Sequence, residues 1–145
     1  MKILVGGAGG FIAGYLVKDL LAQGHEVVAA DIKPADMWYQ TFDGAENHAD
    51  CNLQEKDHCH KLSVGVDRIY NLACNMGGMG FVENNQALCM ENVLIQTHMM
   101  MAARDNGVKE VLYSSTACVY PAAIQSEIKD ESSQALKESD VFPAN

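Results

Sequence analysis

The chain has 145 residues, of which 48% are hydrophobic, and it carries a formal net charge of −9. That length suffices for one domain with a hydrophobic core, and the composition excludes general disorder. The negative charge argues against nucleic acid as a partner, and no apolar run approaches the ~18–20 residues that a membrane-spanning helix needs.

Strand-like and helix-like segments alternate from the N-terminus onward. Residues 2–6 form a short apolar run that predicts a strand, and residues 11–22 carry apolar side chains at helical spacing before Gly24. A second buried strand is predicted over 26–30. The remaining predicted elements are a loop over 32–44, a weak strand over 47–51, a polar helix over 53–61, a strand over 67–73, a long helix over 82–105 and a strand over 109–114.

This order of elements predicts an α/β fold with a Rossmann-type doubly wound parallel sheet, because parallel strands joined by helical crossovers need helices on both faces. The sheet is expected to be truncated after about five strands, since residues 122–145 are polar and contain no recognisable final element. The lack of long polar linkers and internal repeats favours one domain over residues 1–145.

The helix predicted over 82–105 has two apolar faces, whereas a helix that is wet on one side needs only one. The residues are Met90, Val93, Leu94 and Met101 on one face, and Leu88, Ile95 and Met99 on the other. Two interpretations stay open. Either the helix is buried within its own domain, or it forms a homodimer interface in which methionines fill irregular gaps.

The five cysteines are odd in number and show no paired spacing, so we expect free thiols. The segment Asp57-His58-Cys59-His60 matches no usual metal-ligand template and is interpreted as a polar helix end, with no bound metal. The N-terminus begins a strand rather than a signal peptide. These features predict a soluble, cytoplasmic protein.

The strongest motif is GGAGGFIAG, which follows the first strand with the spacing Gly7-x-x-Gly10-x-x-Ala13. Glycine permits a tight turn and lets backbone N–H groups approach a pyrophosphate at a helix N-terminus, where the helix dipole favours an anion. Phe11 and Ile12 open that helix and belong to the same candidate site. A strand before the motif and a helix after it are the context that a dinucleotide site requires.

Asp31 ends the second strand, about 20 residues after Gly10. A carboxylate there accepts hydrogen bonds from the adenosine ribose and would repel a 2′-phosphate. The sequence therefore predicts NAD as cofactor, although Lys33 keeps NADP open.

The chain resembles the extended short-chain dehydrogenase/reductase family of nucleotide-sugar enzymes. The residues that carry the resemblance are GGAGGFIA, Asp31, Asp50-Cys51, NLAC at 71–74 and SSTACVY at 114–120. Three segments are similar to the members of that family that epimerise GDP-mannose at C3 and C5: NMGGMGF at 75–81, STACVYP at 115–121 and LKESDVFPA at 136–144.

The resemblance implies roles for individual residues around the cofactor and the sugar nucleotide. Asp50 and Cys51 would lie at the adenine edge of the cofactor. Leu72 and Ala73 would line it after the fourth strand, and Gly77 would approach the sugar nucleotide.

The resemblance also implies the reacting groups. Thr116 takes the place of the catalytic Ser/Thr that hydrogen-bonds to the sugar 4-hydroxyl, and Cys118 takes the place of an acid/base cysteine. Ala117 lies between them in the substrate site. Asn92 in the long helix matches a position that supports the active site.

The implied reaction is 3,5-epimerisation of GDP-mannose through a transient 4-keto intermediate. The family's Tyr-x-x-x-Lys pair does not occur in these 145 residues, so the chain alone is expected to be inactive. Two alternatives stay open: a nucleotide-sugar 4-epimerase or dehydratase, and a non-catalytic dinucleotide-binding module.

Overall fold

A computed structural model describes residues 1–116, 119–121 and 137–141 of the chain. Two compact units are distinguished, Met1–Tyr113 and Ser114–Asn145. Within its described residues, the second unit contains a 3₁₀ helix over Glu138–Val141. The expectation of one domain over 1–145 stays a prediction.

Strands and helices alternate in the first unit as the sequence predicts. In chain order they are β1 (Lys2–Gly6), α1 (Phe11–Ala22), β2 (Glu26–Ala30), a 3₁₀ helix (Ala35–Met37), β3 (Glu46–His48), α2 (Lys56–Leu62), β4 (Arg68–Asn71), α3 (Met79–Asn84), α4 (Gln86–Met90), α5 (Asn92–Asp105) and β5 (Glu110–Tyr113).

The five strands form one parallel sheet in the order β3-β2-β1-β4-β5. The order reverses beside β1, because the chain builds first on one side of it and then on the other. Gly6, the last residue of β1, pairs with Ala30 of β2 and with Asn71 of β4. The loops after these three strands therefore emerge side by side at the carboxyl edge, where open parallel sheets bind ligands. The Rossmann-type prediction is confirmed.

Helices cover both faces of this sheet, and β1 alternates its side chains between the two layers. The layer with α1 contains Ile3, Val5, Ala8, Ala13, Val17, Leu20, Val27, Ala29 and Phe42. The layer with α2 and α5 contains Leu4, Val28, Ala30, Leu53, Cys59, Leu62, Val66, Ile69, Ile95, Met99, Ala102 and Ala103. The doubly wound arrangement follows from these two separate cores.

The long helix predicted over 82–105 is not continuous. Helical structure begins at Met79 and is divided into α3, α4 and α5. Asn85 interrupts it with φ −133°, and its side-chain amide donates to the carbonyl oxygen of Phe81 at 2.9 Å. Such a side chain competes with the backbone for hydrogen bonds, which is why asparagine often ends a helix.

The strand predicted over 47–51 is shorter in the structure and lies at Glu46–His48. Asp50 adopts a left-handed conformation with φ +53°. That conformation is incompatible with an extended strand, and aspartate is one of the residue types that tolerate it.

Among the residues of the two predicted apolar faces after β4, only Ile95 and Met99 are buried, and Leu88 on their face is 39% exposed. Ile95 and Met99 of α5 lie in the core, where they are 7% and 0% exposed. Met90 and Val93 on the other face are 67% and 55% exposed. The intradomain interpretation therefore accounts for one face and leaves the second without a partner among the described residues.

Candidate dinucleotide-binding site

The turn between β1 and α1 is closed tightly by backbone hydrogen bonds. The N–H groups of Gly7 and Ala8 both donate to the carbonyl oxygen of Ala30, at 2.8 and 3.1 Å. Gly7 has φ +81°, and a Cβ at this position would lie 2.9 Å from both the backbone N and the Cα of Ala73. Only glycine fits, because both the conformation and the space exclude a side chain. The turn therefore packs against residues 72–73, which the sequence also assigns to the cofactor site.

The N-terminus of α1 presents backbone donors at this turn. Gly10 is the N-cap residue of α1 and has no side chain that could cap the helix. The N–H groups of residues 11–13 have no acceptor inside the helix, and they lie at the positive end of its dipole. The side chains of Phe11 and Ile12 are exposed. The groups that these two residues present at the helix N-terminus are their backbone N–H groups. This arrangement fits a pyrophosphate.

Asp31 lies beside the same turn and is only 7% exposed. Its Oδ2 accepts a hydrogen bond from the N–H of Gly9 at 3.0 Å, and its Oδ1 accepts one from the N–H of Lys33 at 2.9 Å. Each carboxylate oxygen has a further lone pair. The carboxylate is therefore held in place and can still accept hydrogen bonds from ribose hydroxyls. This fits the adenosine half of a dinucleotide.

Asp50 and Cys51 are brought to Asp31 by the loop after β3. The N–H of Cys51 donates to the carbonyl oxygen of Asp31 at 2.8 Å, and the N–H of Asp50 donates to that of Lys33 at 3.2 Å. Asp50 is exposed and Cys51 is half-buried. Burial raises the pKa of the Cys51 thiol, so at neutral pH it offers a neutral surface rather than a nucleophile.

The end of β4 contributes Leu72 and Ala73, with the N–H of Leu72 donating to the carbonyl oxygen of Gly6 at 3.1 Å. Asn71 beside them is 2% exposed. Its amide nitrogen donates to Oε1 of Gln96 at 2.9 Å, whereas its Oδ1 has no partner among the described residues. The end of β4 therefore lies against the glycine turn, which also contacts Asp31.

Asn92 at the start of α5 holds the loop that follows β4. Its Oδ1 accepts from the N–H of Asn75 at 2.6 Å, and its Nδ2 donates to the carbonyl oxygen of Asn75 at 3.1 Å. Gly77 follows in an exposed position, where a Cβ would lie 2.7 Å from Cβ of Phe81. Asn92 therefore orders the segment that contains Gly77.

Of the predicted substrate-site residues 116–118, the structure describes one. Thr116 is a described, exposed residue of the second unit. Ala117 and Cys118 lie outside the described residues. The roles of residues 116–118, and that of Gly77 toward a sugar nucleotide, stay predictions.

The Asp57–His60 segment is occupied by structural contacts. Cys59 is fully buried, and burial together with the neighbouring Cys51 raises the pKa of its thiol to about 11. His58 hydrogen-bonds to the carbonyl oxygen of Asn52, and His60 contacts Asp105 at 3.2 Å. Across the described residues, no group of three or more His, Cys, Asp or Glu side chains could hold a metal ion.

Among the described helices, none combines the length and the apolar character that crossing a membrane demands.

One contact at the turn is not predicted by the glycine motif. Trp38, from the loop after β2, packs its ring against Gly9, and the N–H of Tyr39 donates to the carbonyl oxygen of Gly9 at 3.0 Å. The only hint in the sequence is an aromatic pair, Trp-Tyr, inside the loop after β2.

Known proteins share this fold. A model of the NAD dependent epimerase/dehydratase family matches residues 3–143. The chain belongs to this family. The resemblance found in the sequence motifs is therefore confirmed, and NAD is the family's cofactor, as predicted.

Two epimerases align along 99% of the chain, and the structure of a third aligns along 80%. GDP-mannose 3,5-epimerase of Arabidopsis thaliana is 41% identical over 145 residues, and GDP-mannose 3,5-epimerase 1 of Oryza sativa subsp. japonica is 40% identical over 146; each alignment covers 99% of this chain. The chain spans 37% of the length of these relatives. The structure of UDP-glucose 4-epimerase of Thermus thermophilus in complex with NAD has a TM-score of 0.68 and 26% identity, over 80% of this chain and 38% of that one.

Proposed function

We propose that this chain provides the NAD-binding part of an epimerase that inverts C3 and C5 of GDP-mannose. The observation that carries the proposal is the 41% identity to the Arabidopsis thaliana enzyme of that activity along 99% of the chain. The glycine turn and Asp31 supply the site in which NAD would bind. The pyrophosphate would lie at residues 10–12, and the adenosine would lie beside Asp31, Asp50 and Cys51.

The chemistry explains why such an enzyme needs both a dinucleotide and a proton-transfer group. A bound NAD⁺ would supply the hydride acceptor for C4 of the sugar and, in its reduced form, the donor for the return step. The 4-ketone makes the protons on C3 and C5 acidic, because an enolate delocalises the charge. Thr116 would hydrogen-bond to the oxygen at C4. Cys118 would take or return a proton on one face of the sugar, since a thiol with a pKa of ~8.5 can both give and accept a proton near neutrality. Inversion would need a second acid/base group on the opposite face.

A base for the 4-hydroxyl is not among these residues. No tyrosine of the 145 residues has a lysine four positions later. We therefore expect turnover only from a polypeptide that contains this chain together with a Tyr-x-x-x-Lys pair, and none from the chain alone.

The test is incubation of such a polypeptide with NAD⁺ and GDP-mannose in D₂O, followed by NMR of the sugar. We expect deuterium at C3 and C5, and we expect Cys118→Ala to abolish it. Cys89→Ala is the matched control, because Cys89 lies on α4 and is assigned no role. Exchange that survives in Cys118→Ala would refute the assignment of the cysteine. Inversion at C4 alone, or loss of water, would favour the 4-epimerase or dehydratase alternative.

A second candidate is a non-catalytic dinucleotide-binding module, since the observations at the glycine turn and Asp31 concern a dinucleotide alone. Calorimetry distinguishes the two. A module would bind NAD without binding a sugar nucleotide, whereas the enzyme would bind both. Binding of GDP-mannose in the presence of NAD would exclude the module.

We also propose self-association through the helical region after β4. The apolar residues exposed there are Leu88, Met90, Val93, Leu94 and Met100. Exposed patches of this kind mark interaction surfaces. Light scattering of the unchanged protein should give a dimer mass, and Leu94→Glu should give a monomer. A monomeric wild type would refute the proposal, and Met37→Glu, an exposed methionine elsewhere, is the control.

A cytoplasmic location is consistent with four cysteines that are free in the described chain, Cys51, Cys59, Cys74 and Cys89. Free thiols persist in reducing compartments. Fractionation of the source cells would test this.

A further inference from the structure

Gly9 lies inside the glycine turn but outside the spacing that defines the motif. Its φ is not in the left-handed region, unlike that of Gly7. What excludes a side chain at Gly9 is a neighbour, because a Cβ there would lie 2.7 Å from Cδ1 and 2.9 Å from Cγ of Trp38. The indole ring therefore occupies the space that a side chain at position 9 would take.

The ring of Trp38 is itself fixed. Its Nε1 donates to the carbonyl oxygen of Lys33 at 2.9 Å. The centroid of its ring lies 5.9 Å from that of Phe42, and Phe42 is 5% exposed in the α1 core. Trp38 thus connects the turn to the core and to the segment just after Asp31.

Both peptide groups of Gly9 are also held. The N–H of Gly9 donates to Oδ2 of Asp31 at 3.0 Å, and its carbonyl oxygen accepts from the N–H of Tyr39 at 3.0 Å. The hydrogen bond to Asp31 joins the pyrophosphate half of the proposed site to the adenosine half. A shift of Gly9 would move a donor from the carboxylate and distort the turn between Gly7 and Gly10.

We propose that Trp38 is a positioning residue for the dinucleotide: its ring holds Gly9 so that the turn and the Asp31 carboxylate are in place before NAD binds. Preorganisation of this kind increases affinity because less ordering remains to be done on binding. This inference rests on the proposed placement of NAD at the turn, and it is independent of the epimerase chemistry.

The first experiment measures the dissociation constants of NAD and ADP-ribose at a temperature well below unfolding. Trp38 is the only tryptophan in the chain, so fluorescence reports binding to the unchanged protein, and calorimetry serves for the variants. We expect Trp38→Ala to weaken both ligands about tenfold, the size expected for one hydrogen bond to a charged group. Trp38→Phe, which keeps a ring, should lose less. Met37→Ala, an exposed neighbour in the same loop, is the control.

The second experiment is a double-mutant cycle with Gly9→Ala. In the presence of Trp38 the added methyl group meets the ring, so NAD affinity should fall. In Trp38→Ala the space is vacant, and Gly9→Ala should have several-fold less effect. A structural role alone would lower the unfolding temperature of the variants and leave both dissociation constants unchanged.

Additive effects of Gly9→Ala and Trp38→Ala on affinity, or wild-type affinity in Trp38→Ala, would overturn the inference. If the unchanged protein bound no NAD, the proposed cofactor site would fail together with it. If NAD bound normally but a polypeptide that also contains a Tyr-x-x-x-Lys pair gave no epimerisation, only the proposed activity would fail.

Discussion

Two glycine-rich segments follow neighbouring strands, and they are built differently. In the turn after β1, the space beside Gly7 is filled by the backbone of residues 72–73, and the space beside Gly9 is filled by Trp38. In the segment after β4, no atom outside the immediate neighbours lies within 4 Å of where a Cβ would stand at Gly78 or Gly80. At Gly77 of the same segment, a Cβ would lie 2.7 Å from Cβ of Phe81. Similar composition therefore gives a closed turn in one place and, in the other, a segment that is open at Gly78 and Gly80.

The difference shows what glycine does in each place. At the first turn it permits close approach of one part of the chain to another, so the shape of the turn is decided by contacts within the protein. At the second segment Phe81 fills the space beside Gly77, whereas the space beside Gly78 and Gly80 is left open. The open space at Gly78 and Gly80 fits the proposed approach of a sugar nucleotide beside Gly77.

The largest expected effect comes from Gly7→Ala. We expect a loss of about 3 kcal/mol in the free energy of unfolding, from left-handed strain combined with overpacking against residues 72–73. NAD binding should be lost as well. Urea unfolding followed by circular dichroism measures the first, and calorimetry measures the second. A wild-type midpoint would contradict the closed character of the first turn.

A second prediction concerns the support behind that turn. The side chain of Leu53 lies 3.0 Å from where a Cβ at Gly6 would stand, and the carbonyl oxygen of Leu53 accepts from the Cys59 thiol at 3.2 Å. Burial, with the neighbouring Cys51, raises the pKa of Cys59 to about 11. The unfolded chain therefore loses this proton first as pH rises, and the folded state loses stability.

Between about pH 9 and pH 11 we expect the free energy of unfolding to fall by roughly 2–3 kcal/mol on account of this thiol. Below the ordinary pKa of a thiol its contribution is complete. Urea titrations across this range measure the slope, and Cys59→Ala should make it shallower. Identical slopes in the two proteins would show that this thiol does not ionise on unfolding.

The smallest effects are expected at the open segment. Gly78→Ala should change the free energy of unfolding by no more than about 0.5 kcal/mol, because the space there is open. Gly80→Ala lies within α3 and should stabilise it by up to about 1 kcal/mol, since alanine favours helix. Thermal unfolding measures both. A loss beyond about 1.5 kcal/mol at Gly78 would mean that the segment is packed like the first turn, since the overpacking of filled space costs about 1–3 kcal/mol.

Local pattern was sufficient to predict the elements near β1. The run at 2–6, the helix at 11–22 and the strand at 26–30 match the structure, because their periodicity and their glycine boundaries are local properties. Accuracy fell where a single residue decided the outcome. Asn85 interrupts the helical region through its side-chain amide. The left-handed backbone of Asp50 prevents β3 from continuing to residue 51. The apolar pattern predicts neither effect.

The sequence by itself determined the fold class, the glycine turn and the acid at position 31, because each depends on residue type at a short, regular spacing. Only the tertiary structure decided that residues 72–73 close over Gly7, that Trp38 fills the space beside Gly9, and that Asn92 orders the loop at Asn75. These contacts join segments that are distant along the chain, and their formation depends on how the strands and helices pack. No local spacing encodes that packing.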